Sequence, residues 1–132
     1  VKDTLTVNPG FRCDYGSNIT VGDNFYANYN CFILDCAPVT FGDNVLIGPN
    51  CSFYAAGHPL DAATRSSGLE FAKPITVGSD VWFGGSVTVL PGVTIGDGCV
   101  IGAGSVVTRD IPAGMVAVGN PCRPIKPAEE RK

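Results

Sequence analysis

The sequence predicts an all-β fold, a parallel β-helix of six-residue repeats with one extended loop, and three observations carry that expectation. Most of the chain divides into hexads that open on an apolar residue, a glycine recurs at the second position of those hexads, and helical periodicity is nearly absent. In order, the hexads are YGSNIT, VGDNFY and ANYNCF (15–32), FGDNVL, IGPNCS and FYAAGH (41–58), VGSDVW, FGGSVT and VLPGVT (77–94), and IGDGCV, IGAGSV and VTRDIP (95–112). The third hexad of each group lacks the glycine and has Asn28, Tyr54, Leu90 or Thr108 instead, so the period is eighteen. Three strand-and-turn units per period describe a coil with three flat sides, stacked at the ~4.8 Å spacing of paired strands. The first and fifth positions then point inward, and the fifth must be small or β-branched. The glycines are expected at corners that need a positive φ.

Two stretches fall outside the hexads. ILDCAPVT (33–40) is either an expanded side or an external bulge, and residues 59–76 hold a loop excursion, about 59–74, whose end FAKPIT fits one more hexad. A short tail is expected over about 119–132. The whole chain, 1–132, reads as a single domain.

The composition narrows the function. With 45% hydrophobic and 16% charged residues, the chain can bury a sizeable core. A net charge of −3 argues against nucleic acid or an anionic membrane as partner, since either calls for a basic face. A small anionic ligand needs only a local cluster, and Arg109, Arg123, Lys126, Arg131 and Lys132 supply one near the C-terminus. No apolar run is long enough to span a membrane and no signal-peptide pattern is present, so a cytoplasmic location is expected. The six cysteines show no CxxC pair or metal-type spacing. Cys13, Cys31, Cys51 and Cys99 fall on fifth positions, with PGFRCD as a degenerate leading hexad, and are expected to be buried, reduced and inert.

His58 is the only histidine. It ends a hexad at a corner, opens onto the excursion, and has its backbone restricted by Pro59. An imidazole with the ordinary pKa of about 6.5 is largely neutral at neutral pH and can take a proton from an attacking hydroxyl. Gly84 and Gly85 offer backbone N–H groups unobstructed by side chains, suited to a developing oxyanion. Trp82 ends a hexad and faces outward, either beside a ligand or at a subunit interface. Asn28, in a glycine slot, carries both a donor and an acceptor. Arg131 and Lys132 read as a solvated tail.

With these residues in view, the chain resembles the hexapeptide-repeat acyltransferases, in the maltose/galactoside O-acetyltransferase branch. The stretches that carry the resemblance are YGSNITVGDNFYANYN, APVTFGDNVLIGPN, AGHPLD, PITVGSDVWFGG and VLPGVTIGDGCVIGAGSVVTRDIPAGMVAVGNPCR. The resemblance implies a left-handed β-helix, homotrimers with sites between subunits, and acetyl-CoA as cosubstrate with no metal. It puts the catalytic base at His58 and the acceptor contact at Asn28, with Asp14, Asp35 and Tyr26 as further sugar-binding candidates and Glu70 either orienting His58 or touching the acceptor. Cofactor contacts fall on Trp82, Gly85, Ala103, Thr108 and Arg109, with Arg123 and Lys126 toward the phosphates. Cys36 stands where galactoside enzymes can carry a second aspartate, which leaves the acceptor open: a sugar, an antibiotic, an oligosaccharide or serine. Relatives also carry a helical N-terminal segment, whereas here the repeat starts almost at once, so the chain is either trimmed or binds its acceptor differently. The related γ-carbonic anhydrases need three histidine ligands and are excluded. A catalytically inactive assembly module is the remaining alternative.

Overall fold

A computed structural model of the chain describes residues 4–129. Arg131 and Lys132 lie outside them. The described residues coil into a three-sided stack. The first coil is β1 (Leu5–Val7), β2 (Arg12–Cys13) and β3 (Ile19–Thr20), and the second is β4 (Phe25–Ala27), β5 (Phe32–Leu34) and β6 (Val39–Phe41). The third starts with β7 (Leu46–Ile47) and β8 (Ser52–Tyr54), leaves the stack through β9 (Ala56–Gly57), α1 (Ala62–Ser66) and β10 (Phe71–Ala72), and returns at β11 (Ile75–Val77). The fourth is β12 (Trp82–Phe83), β13 (Thr88–Val89) and β14 (Thr94–Ile95). A fifth, β15 (Val100–Ile101) and β16 (Val106–Val107), closes with a parallel bridge at Ile111, and β17 (Met115–Gly119) and β18 (Cys122–Pro127) follow.

Corresponding strands pair in parallel to form the faces. The first is β1-β4-β7-β12-β15-β17-β18, the second β2-β5-β8-β13-β16 and the third β3-β6-β11-β14. The fold is a left-handed parallel β-helix, an exception to the usual right-handed crossover. The segment expected as a tail instead turns back, and β18 pairs antiparallel with β17.

Burial follows the hexads. First-position Phe41, Ile47, Phe53, Phe83 and Ile101 and fifth-position Val45, Cys51, Val81, Val87 and Cys99 are buried. Phe25, Phe41, Phe53 and Phe83 pack edge to face up the axis, with neighbouring centroids 5.1, 5.1 and 5.2 Å apart. Ser105, a buried fifth-position residue, donates to the Gly102 carbonyl at 2.7 Å and accepts the Gly119 N–H at 3.0 Å. Burial pushes the Cys31 thiol up to about 12, with Cys51 adding to the effect, and raises Cys51 as well. Two residues depart from the pattern in the first coil. Cys13 is exposed, because no rung covers its outer side, and Tyr15 is 69% exposed at a widened corner.

Apart from Gly16, whose φ of 81° is the one expected, the second-position glycines with close neighbours serve a different end. The left-handed corner residue is the fourth of the hexad, as at Asn44 with φ 56° and Ser86 with φ 59°. A second-position glycine is required by close stacking: a Cβ on Gly84 would lie 2.7 Å from the Ala103 nitrogen of the next coil.

The rungs are not uniformly eighteen residues apart. Trp82 faces Val100 at that spacing, but Leu5 faces Phe25 and Tyr26 faces Leu46, twenty residues on in each case. The two additional residues sit where the chain passes from the second face to the third, after β2 and again after β5. ILDCAPVT is therefore an enlarged corner. In the third coil the whole excursion leaves from that same edge.

Candidate active site

The irregular edge between the second and third faces holds an open cavity of about 590 Å³. Asp14 and Tyr15 of the first coil, Leu34 and Cys36 of the second, and Tyr54, Ala56, Gly57, His58 and Glu70 of the third line it. Tyr15, Leu34 and Tyr54 join the lining although no motif marks them as site residues. Strand alternation would have found the last two: Ile33 and Phe53 point inward, so their register-paired neighbours Leu34 and Tyr54 point out at this edge.

The excursion is clamped at its base. Phe71 and Ala72 pair antiparallel with Gly57 and Ala56, and the Lys73 N–H donates to the Ala55 carbonyl at 2.8 Å. A Cβ on Gly57 would come within 2.6 Å of the tip of the Phe71 ring, which would have to move aside. At the far end Asp61 caps α1, accepting the Thr64 N–H at 2.9 Å. That single turn, too short for periodicity to register, is the only helix among the described residues.

His58 is exposed, and its Nδ1 lies 3.4 Å from the Leu69 carbonyl oxygen. A carbonyl only accepts, so this contact favours the neutral tautomer with the proton on Nδ1, which leaves the lone pair on Nε2. Asp14 accepts a hydrogen bond from the Cys36 thiol at 3.2 Å, and this bond, ahead of burial and nearby carboxylates, raises the thiol's pKa.

Asp35 does not face the cavity and corrects the expectation of a sugar contact. Its side chain is fully buried. One oxygen accepts the N–H groups of Asp14 (3.1 Å) and Tyr15 (2.9 Å), the other those of Gly16 (2.8 Å) and Asn18 (3.2 Å). Burial works against the charge, but the backbone donors outweigh it and hold the carboxyl below its ordinary pKa. Asp35 shapes the loop that presents Asp14 and Tyr15.

The other candidates lie elsewhere on the prism. Asn28 follows β4 on the edge between the first and second faces, where its Oδ1 accepts the Tyr29 N–H at 2.7 Å. Gly85 and Ala103 stand on that same edge, two and three coils further on, and the Gly104 N–H reaches the Gly85 carbonyl at 2.9 Å. Tyr26 and Trp82 project from the first face, the Tyr26 hydroxyl accepting from Asn8 at 3.0 Å and Trp82 being 54% exposed. Thr108 and Arg109 end the second face of the fifth coil, on the histidine's edge, while Arg123 and Lys126 are exposed on β18. Within one chain Asn28, Gly85 and Ala103 thus lie on one edge and Asp14, His58, Glu70, Thr108 and Arg109 on another, with the second face between them. No group of residues suited to holding a metal ion occurs among those described.

Four likenesses to known proteins bear on this arrangement. The family model described as bacterial transferase hexapeptide (six repeats) matches residues 74–109. The galactoside O-acetyltransferase of Escherichia coli K12 is 50% identical over 131 residues, 99% of this chain and 64% of that protein, so the chain spans less than two thirds of this relative's length. The crystal structure of a maltose O-acetyltransferase from Clostridium difficile 630 superimposes with a TM-score of 0.88 at 53% identity, covering 96% of this chain and 70% of that one. A hexapeptide-repeat acetyltransferase from Vibrio cholerae, solved with acetyl coenzyme A, gives a TM-score of 0.91 at 40% identity over 95% of this chain and 69% of that one. The coil register, the single irregular edge and these likenesses together establish that the chain belongs to the hexapeptide-repeat acyltransferases, in their maltose/galactoside O-acetyltransferase branch.

Proposed function

We propose that the chain is an acetyl-CoA-dependent O-acetyltransferase for a sugar-type acceptor, with His58 as general base and the site completed by a second copy. The observation that carries the reading is the exposed imidazole on an open cavity, its Nδ1 engaged by the Leu69 carbonyl. Nε2 takes the proton of the acceptor hydroxyl, and the oxygen attacks the thioester carbonyl. The tetrahedral oxyanion is held by the N–H of Gly85, which donates to no backbone carbonyl among the described residues. The C–S bond then breaks, and the imidazolium returns its proton to the departing thiolate, leaving an acetate ester and free coenzyme A. The cosubstrate is suggested by the bound acetyl coenzyme A of the Vibrio cholerae relative, and the acceptor class by the galactoside and maltose enzymes.

The need for a second copy follows from distance. His58 and the edge bearing Asn28, Gly85 and Ala103 are separated by a face of the same prism, so one reacting carbonyl can meet both only if edges of different copies meet. The outward column of Tyr26, Leu46, Trp82, Val100 and Val116 on the first face, with Leu46 50% and Trp82 54% exposed, supplies apolar surface for association. A closed ring of three, each copy offering one edge to the next, satisfies every site.

Thiol release from acetyl-CoA with a panel of sugars tests the base. His58→Ala should lower kcat by roughly 10²–10⁴-fold. Equal turnover by the two proteins would overturn the assignment.

A further inference from the structure

We infer that the acceptor preferred by this cavity carries a positive charge, an amino sugar over its neutral or phosphorylated counterparts. The inference rests on the reading of His58 as the acetyl-transfer base.

The charged side chains that line the cavity beside His58 are two carboxylates, Asp14 and Glu70. Among the described residues of one copy, neither lysine nor arginine joins them there. Of the cations close to these residues in the sequence, the Arg65 guanidinium donates to the carbonyls of Pro59 (3.3 Å) and Leu60 (3.1 Å), the Lys73 ammonium stands 5.5 Å from the centre of the Phe71 ring, and Arg12, two residues before Asp14, is exposed and does not line the cavity. The Cys36 thiol, between these groups, responds to their field: behind its hydrogen bond to Asp14 and its burial, the charges of Asp14, Glu70 and Asp35 all hold its proton on. That thiol occupies one Asp14 oxygen, Oδ2, and Oδ1 is left to a ligand. Tyr15 and Tyr54 add aromatic rings, a surface that takes both a sugar face and a cation.

A carboxylate accepts from any sugar hydroxyl, so hydrogen bonding alone would rank neutral and amino sugars equally. Charge breaks the tie. An ammonium gains Coulomb energy from both carboxylates, whereas a phosphate is repelled by both, and because Asp14 and Glu70 are exposed the effect is modest and weakens with salt.

The experiment compares glucosamine, glucose and glucose 6-phosphate at about pH 7, where an amine of this kind retains a substantial protonated fraction. Equilibrium binding and kcat/KM are measured in parallel, at low and at raised salt. Glucosamine is expected to lead glucose by roughly five- to twentyfold in both, the lead shrinking with salt, with glucose 6-phosphate last. In the double variant Asp14→Asn, Glu70→Gln the order should flatten while circular dichroism stays that of the parent. Equal ranking of the three sugars by the parent protein, or a preference for the phosphate, overturns the inference and leaves the base assignment standing. Tighter binding of glucosamine without turnover of any sugar sustains the inference and removes the base assignment.

Discussion

Asp35 and Gly57 show how single residues set the site without touching a substrate. Asp35 gathers four backbone N–H groups of the preceding coil onto one buried carboxylate. Asp35→Asn keeps the shape but turns one acceptor into a donor facing donors, and should cost about 2 kcal/mol, read by urea unfolding. Because the folded pKa lies below the unfolded one, the carboxylate's contribution is complete above the ordinary aspartate value near 4 and is lost as pH falls through the folded pKa. The gap between parent and variant should therefore close on acidification below about pH 4. A gap that stays constant down to the acid limit would mean that the charge plays no part. Gly57→Ala acts by geometry, since the new methyl pushes aside the Phe71 ring, which packs on the strand pair next to the Leu69 carbonyl and His58. A fall in kcat of roughly ten- to hundredfold with little change in melting temperature is expected. Unchanged kcat would show that the ring moves without disturbing the imidazole.

At the scale of elements, the coils and the excursion are separable. Each coil is held by ladders to its neighbours and by the phenylalanine column, in which Phe41 touches both Phe25 and Phe53. Phe41→Ala removes a ring that nothing nearby can replace, and a loss of roughly 3–5 kcal/mol is expected from denaturant titration. The excursion contributes little of this kind. Its helix buries no residue, and β11 rejoins the third face directly beside β6. Replacing residues 59–69 by a short glycine-serine turn should leave the melting temperature within a few degrees of the parent. Acetyl transfer should disappear, because the Leu69 carbonyl goes with the segment. Collapse of the stack on this replacement would show the excursion to be structural.

At the scale of the whole molecule, the roles proposed for His58, Asn28 and Gly85, which lie on separate edges, predict that activity depends on association. Trp82→Glu places a charge in the apolar column of the first face and should shift the oligomer toward monomer by light scattering, with activity falling in step. A stronger test co-expresses His58→Ala with Asn28→Ala. If each site draws on two copies, mixed assemblies contain some sites with both residues intact and recover part of the parent activity, although neither variant alone does. Absence of recovery in assemblies shown to be mixed would place both residues in one copy's site.

Much of this was legible in the residues. The hexads determined the three-sided coil, because a six-residue unit with inward first and fifth positions admits few other ways to bury them, and AGHPLD marked the histidine as lying at the start of an irregular loop. Local spacing could not reveal that the enlarged corners of the first two coils and the excursion of the third share one edge, because their register emerges only when coils twenty and thirty-six residues apart are laid over one another. Nor could it separate Asp35 from Asp14, two aspartates that each lie just past a strand of the second face. Which carboxylate turns inward to collect backbone donors and which stays in the cavity depends on how the second coil closes over the first, and only the tertiary structure decides that.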